Sequence, residues 1–203
     1  MKAHPFTTCR QIILASSSPR RIHFLKQLGL DFTSIAAAID ETPLPGEKPD
    51  DFVLRMAKAK ARSIGHCHPE AFIIGADTII SKQGEIIGKP ENPDHALQIL
   101  QHLQGTAHHV ITGLCLHHKI SSLKVPIVKK TAIHFGAFSD TILRAYVQTG
   151  EPLDKAGAYA LQGTGGFLVE KIDGSCSNAI GLPMNQLVSL LLKHDIIAPG
   201  KKH

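Results

Sequence analysis

In the run Ile12-Ile13-Leu14-Ala15-Ser16-Ser17-Ser18-Pro19-Arg20-Arg21, three apolar residues lead through a polar turn to a proline and two arginines. The apolar triplet reads as a short buried strand. Pro19 suits the first turn of a helix, where its missing N–H would find no partner anyway. A serine just before it can cap that helix. Ile22, Leu25 and Leu28 then recur at roughly helical spacing, and Gly29 stops the run. A strand, a tight polar loop and a helix N-terminus would bring backbone donors, hydroxyls and guanidinium groups to one point. That is the chemistry of a phosphate site. The same residues taken alone more often mean a capped helix with a solvated arginine pair, so the rest of the chain has to decide.

Outward from this unit the chain alternates element types. Residues 32–38 are apolar and read as a strand. Asp40-Glu41-Thr42-Pro43-Leu44-Pro45-Gly46-Glu47-Lys48-Pro49 cannot be regular structure, with three prolines in seven residues. Asp50 or Asp51 can cap the next helix, in which Phe52, Met56, Ala59 and Ser63 trace one face and Lys58, Lys60 and Arg62 also lie. A strand over 71–74 leads into Gly75-Ala76-Asp77-Thr78, and Lys82-Gln83-Gly84-Glu85 reads as a hairpin turn. After the loop Gly88-Lys89-Pro90-Glu91-Asn92-Pro93, Asn92 caps a helix that turns Ala96, Leu97, Leu100 and Leu103 inward.

Residues 109–116 and 125–135 are long strand candidates, and Ser139 caps a helix carrying Ile142, Leu143, Tyr146 and Val147. A glycine-rich segment from Asp154 to Gly166 precedes a strand over 167–172. Pro183 opens a last helix with Met184, Leu187, Val188, Leu191 and Leu192 as its apolar stripe. No linker or repeat breaks the pattern. The expectation is one domain over 1–203, with a core at about 11–194 and a loose tail at 195–203. The class is α/β with a mixed sheet, because hairpins and crossovers both occur.

At 203 residues the chain can bury one good core or two small lobes on one sheet. No 18-residue apolar run exists, so no membrane span is expected. The start, Met1-Lys2-Ala3-His4-Pro5, lacks the apolar stretch of a secretion signal. Cys9, Cys67, Cys115 and Cys176 are scattered and read as reduced thiols, which points to the cytoplasm. The net charge of +5 suits a small polyanionic substrate. Its lysines are spread out, and only eight Phe and two Tyr, with no Trp, are there for base stacking, so specific nucleic-acid binding is not expected.

The chemistry is expected in the loops. Asp77 follows a buried strand and the small residues Gly75 and Ala76, so backbone can approach a ligand there. A carboxylate at a strand end beside a hydroxyl suits a Mg²⁺ ligand or a base that orients water, although a turn-forming Asp is an even alternative. Glu41 could supply a second carboxylate, though a solvated loop acid is the commoner meaning. Lys89, between Gly88 and Pro90, and Lys155, before the glycines, could aim ammonium groups at phosphate. Mg²⁺ takes few protein carboxylates and completes its shell with phosphate oxygens and water, which matches this inventory. His66-Cys67-His68 looks like a metal tract but has no second cluster at zinc spacing. In His108-His109 and His117-His118, alternation points one of each pair outward. Ser16 lacks the G-x-S-x-G setting of a hydrolase nucleophile, and neither G-x-G-x-x-G nor a Walker A motif occurs.

These residues resemble the Maf family of nucleoside triphosphate pyrophosphatases. The run from Leu14 to Arg21 looks like the family signature. Five further blocks follow in order: Asp40-Glu41; Gly75-Ala76-Asp77-Thr78; Gly88-Lys89-Pro90; Glu151-Pro152-Leu153-Asp154-Lys155-Ala156-Gly157-Ala158-Tyr159; and Ser177-Asn178-x-x-Gly181-Leu182-Pro183. The resemblance covers about residues 11–194. It implies an elongated α/β fold with a bent mixed sheet and a cleft between two lobes. It implies hydrolysis of a nucleoside triphosphate to the monophosphate and pyrophosphate, with a divalent metal, usually Mg²⁺, Mn²⁺ being possible. By position, Asp77 would be the proton acceptor and Glu41 and Asp77 would hold the metal. Ser16, Arg20, Lys60, Lys89 and Lys155 would gather the triphosphate. Such a transfer needs charge neutralisation and in-line positioning more than covalent chemistry.

Arg20, Thr78 and Gln162 resemble the positions that separate substrate subgroups. Gln162 matches the subgroup acting on dTTP and UTP, because an amide offers a donor and an acceptor to the uracil or thymine edge. An acid there would mark the 7-methyl-GTP subgroup, which is the alternative, together with a nucleotide-binding regulator of septum formation. Cys176 departs from the family, standing where many members carry an aromatic residue. A homodimer is common in similar proteins.

Overall fold

The computed structural model describes residues 4–200. The strands are β1 (Phe6–Thr8), β2 (Ile12–Leu14), β3 (Thr33–Ser34), β4 (Phe72–Lys82), β5 (Glu85–Ile87), β6 (Ala107–His118), β7 (Leu123–Phe135), β8 (Val169–Asp173) and β9 (Ile197–Pro199). The helices are α1 (Pro19–Gln27), α2 (Pro49–Cys67), α3 (Pro93–Leu103), α4 (Asp140–Gln148), α5 (Cys176–Ile180) and α6 (Met184–Lys193). Seven strands form one mixed sheet in the order β3-β2-β4-β6-β7-β8, with β5 on β4. β2 runs parallel to both β3 and β4, and the chain makes those returns through α1 and α2. β5 and β8 pair antiparallel, through the expected hairpin turn and the long return from α4.

The chain divides into two compact units, one of residues 1–77, 112–129 and 181–203, the other of 78–111 and 130–180. Strands β4, β6 and β7 each cross from one unit into the other. In the first unit the alternation of β2 sorts its side chains. Ile12 and Leu14 pack with Leu25 of α1 and Leu187 and Leu191 of α6, while Ile13 packs with Ala57, Ala61 and Ile64 of α2. Helices therefore cover both faces, and the middle of β4 is continuously buried from Ile73 to Asp77. The second unit has its own core of α3 and α4 against Ile133, Phe135, Tyr159 and Leu168.

The differences from the sequence reading have physical causes. The strand read at 32–38 shrinks to Thr33–Ser34, because the acidic loop that follows has no neighbour in the sheet to pair with. The helix read to start at Asp50 or Asp51 starts at Pro49, so both aspartates sit in its first turn, where they favour the positive end of the dipole. Its inner face is Phe52, Val53, Met56, Ala57, Lys60, Ala61 and Ile64, not the stripe through Ala59 and Ser63. The tail is partly ordered: Ile197–Pro199 pairs antiparallel with Phe6–Thr8, and Gly200 N–H donates to Pro5 O at 2.9 Å. Residues 201–203 of that tail lie outside the described residues. No described helix is long and apolar enough to cross a membrane.

Candidate active site

Asp77 does not end a strand. It lies midway along the eleven-residue β4, and only 8% of it is exposed. What comes close to the small residues before it is a helix. A Cβ placed on Gly75 would stand 2.2 Å from Ala57 O and 2.8 Å from Ala61 Cβ, so α2 lies almost backbone to backbone on β4. That approach brings Lys60, next to Ala61, onto Asp77. Its Nζ lies 2.6 Å from Asp77 Oδ1 and 2.8 Å from Glu41 Oε1. Glu41 reaches in from the exposed proline-rich loop, with 56% of its side chain open to solvent. Two carboxylates from distant parts of the chain therefore converge on one cation. The sequence reading placed Lys60 on the helix without placing it on the buried face, because lysine is seldom buried unless paired.

Arg21 is the site residue that the sequence did not separate from its neighbour. The pair splits: Arg20, which the resemblance assigns to phosphate, is exposed, whereas Arg21, to which it assigns no role, is 8% exposed. Its Nε donates to Gly181 O at 2.9 Å, and its Nη1 donates to Ala76 O at 2.9 Å and to Ser16 Oγ at 3.2 Å. One guanidinium thus ties the β2–α1 turn to the residue before Asp77 and to the turn before α6. Burial pulls the Arg21 pKa down to about 10, with the Asp77 charge opposing, so it stays a cation at neutral pH. Ser16 Oγ also accepts from Ser18 N–H at 3.2 Å. A hydroxyl held by two donors is set for binding rather than primed as a nucleophile. The signal that marks Arg21 is helical phase, since it lies four residues before buried Leu25.

In the second unit Lys89 and Lys155 stand on loops that are bonded to each other, Gly157 N–H donating to Gly88 O at 3.0 Å. Lys155 Nζ pairs with Asp154 Oδ1. The hydrogen bond from Lys155 holds the Asp154 carboxyl below the usual range, with burial opposing and the Lys89 charge adding. Gln162 is exposed on the turn between two 3-10 segments, and Thr78 is half-buried on β4. The segment bearing Gln162 hangs on Glu151. Its carboxylate accepts from Tyr146 O–H at 2.8 Å and from the N–H groups of Thr164 at 3.0 Å and Gly165 at 2.8 Å. Burial pushes this carboxyl up, but those three donors outweigh it and hold it below the ordinary value.

Among the described residues no group of three or more His, Cys, Asp or Glu side chains could hold a metal, so the tract at residues 66–68 has no partner cluster. His108 is buried and His109 exposed, as alternation requires. His117 and His118 are both half-buried, because the first lies against α2 and the second stacks on Phe72 with centroids 4.2 Å apart. Cys176 is exposed at the start of α5, a helix the sequence reading missed.

Residues 11–194 match the family described as Maf-like protein. A relative from Desulfotalea psychrophila named dTTP/UTP pyrophosphatase is 44% identical over 192 residues, covering 93% of this chain and 97% of its own. Relatives of the same name from Anaeromyxobacter dehalogenans and Myxococcus xanthus are 45% and 43% identical, covering 95% and 94% of this chain and 98% and 95% of their own. The match spans every element that carries Ser16, Arg21, Glu41, Lys60, Asp77, Lys89, Lys155 and Gln162, and the chain belongs to the Maf-like protein family.

Proposed function

We propose that the protein is a nucleoside triphosphate pyrophosphatase that converts dTTP and UTP to the monophosphate and pyrophosphate. The observation that carries this reading is near-full-length identity of 43–45% to relatives named for that activity. The paired carboxylates support it. Glu41 and Asp77 aim oxygens at one point already occupied by a cationic group, the donor set that Mg²⁺ or Mn²⁺ takes when substrate and water complete its shell. These two residues would hold the ion, which when bound would neutralise charge on the triphosphate.

Asp77 accepts the proton of the attacking water. The water oxygen bonds to the α-phosphorus as the bond to the bridging oxygen breaks, and pyrophosphate leaves. Lys60, fixed against Asp77, keeps that carboxylate oriented and adds positive charge for the phosphates. Ser16, Arg20, Lys89 and Lys155 are assigned to the phosphates, and Arg20, Thr78 and Gln162 to the choice of base. The Gln162 amide matches the donor and acceptor edge of uracil and thymine. The same reading has the protein act as a cytoplasmic homodimer, which light scattering and fractionation test.

The deciding experiment compares dTTP, UTP, 7-methyl-GTP, dITP and ATP with Mg²⁺ and identifies both products. Monophosphate and pyrophosphate from dTTP and UTP, lost in Asp77→Asn, support the proposal. Turnover of 7-methyl-GTP alone keeps the reaction and overturns the role of Gln162. No pyrophosphate from any substrate overturns the reaction.

A further inference from the structure

We propose a second anion site, for a small polyphosphate of the pyrophosphate or tripolyphosphate kind, on the side of α2 opposite Lys60. There a cavity of about 320 Å³ is lined by Lys58, Arg62 and His66 of α2, His117 of β6, Lys119 of the following turn and Lys124 of β7. All lie in the first unit. Lys58, Arg62 and His66 are spaced i, i+4, i+8, so they form one stripe, about 200° around the helix from Lys60.

The lining has no carboxylate. None of its four lysine and arginine side chains joins an ion pair among the described residues. Cys115, also in the wall, adds no negative charge, because burial pushes its thiol up to about 11. Four cations around one cavity repel one another unless a counter-charge sits among them. With no Phe, Tyr or Trp in the wall and the His117 ring tied to Leu123 O, the cavity offers charge more than a stacking platform, so the phosphate chain itself is what it fits.

The wall is built, not an accident of mobile surface lysines. His117 Nδ1 lies 3.1 Å from Leu123 O, which fixes the ring, and His66 Nδ1 lies 3.4 Å from Lys119 Nζ. Gly65, inside α2, makes room for the imidazole: a Cβ there would stand 2.6 Å from His117 Cδ2 and 3.0 Å from Nε2. A glycine inside a helix is less favourable than an alanine, and here the space it leaves is filled by the ring. Burial first, then Lys124, His118 and Arg62, keep His117 below its ordinary value against the pull of the Leu123 carbonyl. Lys58, His66 and Lys119 also face the cavity. An anion would screen this positive wall and so favour the protonated form of His117.

The test follows histidine ring signals by NMR as sodium tripolyphosphate is added to the full-length protein in EDTA. Saturable movement of the His66 and His117 signals is expected, at least tenfold weaker in Arg62→Glu and in the milder Lys124→Gln. Neither variant alters residues assigned to turnover, so pyrophosphate release from dTTP should stay at the wild-type rate. Unmoved His66 and His117 signals up to millimolar anion overturn the site. Movement produced by a single-stranded RNA at lower concentration than by tripolyphosphate overturns the small-anion occupant in favour of a nucleic-acid surface. The outcome is independent of whether the protein hydrolyses any nucleotide.

Discussion

Replacing Gly75 by alanine should separate Lys60 from Asp77 without touching either. The new methyl would begin 2.2 Å from Ala57 O and 2.8 Å from the nitrogen and Cβ of Ala61, whereas ordinary contact starts at 3.4 Å. The obstacle is helix backbone, which has no rotamer to change, so α2 must retreat from β4 by about 1 Å, the shortfall in that contact. The Lys60–Asp77 contact of 2.6 Å would then stretch past hydrogen-bond range. Overpacking of this kind costs roughly 1–3 kcal/mol of stability. A misplacement of about 1 Å in a catalytic group can cost about 100-fold in rate. Urea unfolding and pyrophosphate release from dTTP, measured at a temperature where the variant is fully folded, read the two effects separately. Gly113→Ala should act alike, since its Cβ would stand 2.1 Å from Val53 O one helical turn earlier. Gly88→Ala, whose methyl meets nothing within 4 Å, should leave stability unchanged. A Gly75→Ala protein with wild-type midpoint and turnover would refute the claim that close helix–strand packing sets the site. Lost stability with full turnover would refute its coupling to Lys60.

Burial, helped by the charges of His109, Lys82 and His134, pulls the pKa of His108 down to about 3 from 6.5. The unfolded chain binds the extra proton between those values, so this contribution is complete above about pH 6.5 and fades as pH falls toward 3. Urea midpoints should show about 2 kcal/mol less stability at pH 5 than at pH 7.5, and His108→Gln should remove that difference. Arg21→Lys keeps the charge but cannot span Gly181 O, Ala76 O and Ser16 Oγ together, so about 3 kcal/mol should be lost in denaturant melts. Glu151→Gln turns an amide N–H₂ toward backbone donors at Thr164 or Gly165. It should raise KM for dTTP more than it lowers kcat, because the segment bearing Gln162 loosens, and equal parameters would refute that anchoring role.

Much of the fold can be read in the chain because its punctuation is strong. Pro19, Gly29, Asn92, Pro93, Gly105 and Gly150 mark helix ends that the structure keeps, and Asn92 Oδ1 accepts the His95 N–H at 2.8 Å as a capping residue should. The apolar face of α3 follows its periodicity, while α6 keeps Leu187 and Leu191 inward but buries Leu190 and leaves Leu192 of the expected stripe exposed. Where the reading fails, a charged or very small residue sits where periodicity expects a large apolar one. Lys60 and Arg21 occupy core-facing positions and disguise the faces of α2 and α1. Gly75 reads as the residue after a strand and Gly113 as an ordinary strand position, yet both are places where a helix presses close. β1 and β9 are three residues each and exist only because the two ends of the chain meet, which no local pattern announces.

Arg21 and Glu151 show how charge is used once it has been buried. Each fixes an irregular segment by saturating backbone groups of the opposite polarity. The guanidinium has five donors and no acceptor, so it can satisfy carbonyls, and it holds Ala76 O and Gly181 O on either side of the Ser16 turn. The carboxylate only accepts, so it can satisfy amides, and it holds Thr164 and Gly165 beyond Gln162. An apolar side chain in either position would remove these bonds altogether. The turn and the glycine-rich segment can therefore remain non-repetitive while their geometry stays fixed. Lys60 differs from both, because its partners are side-chain carboxylates and not backbone. Losing those contacts leaves no backbone group unpaired. Arg21 and Glu151 should accordingly govern stability first and turnover second, and Lys60 the reverse.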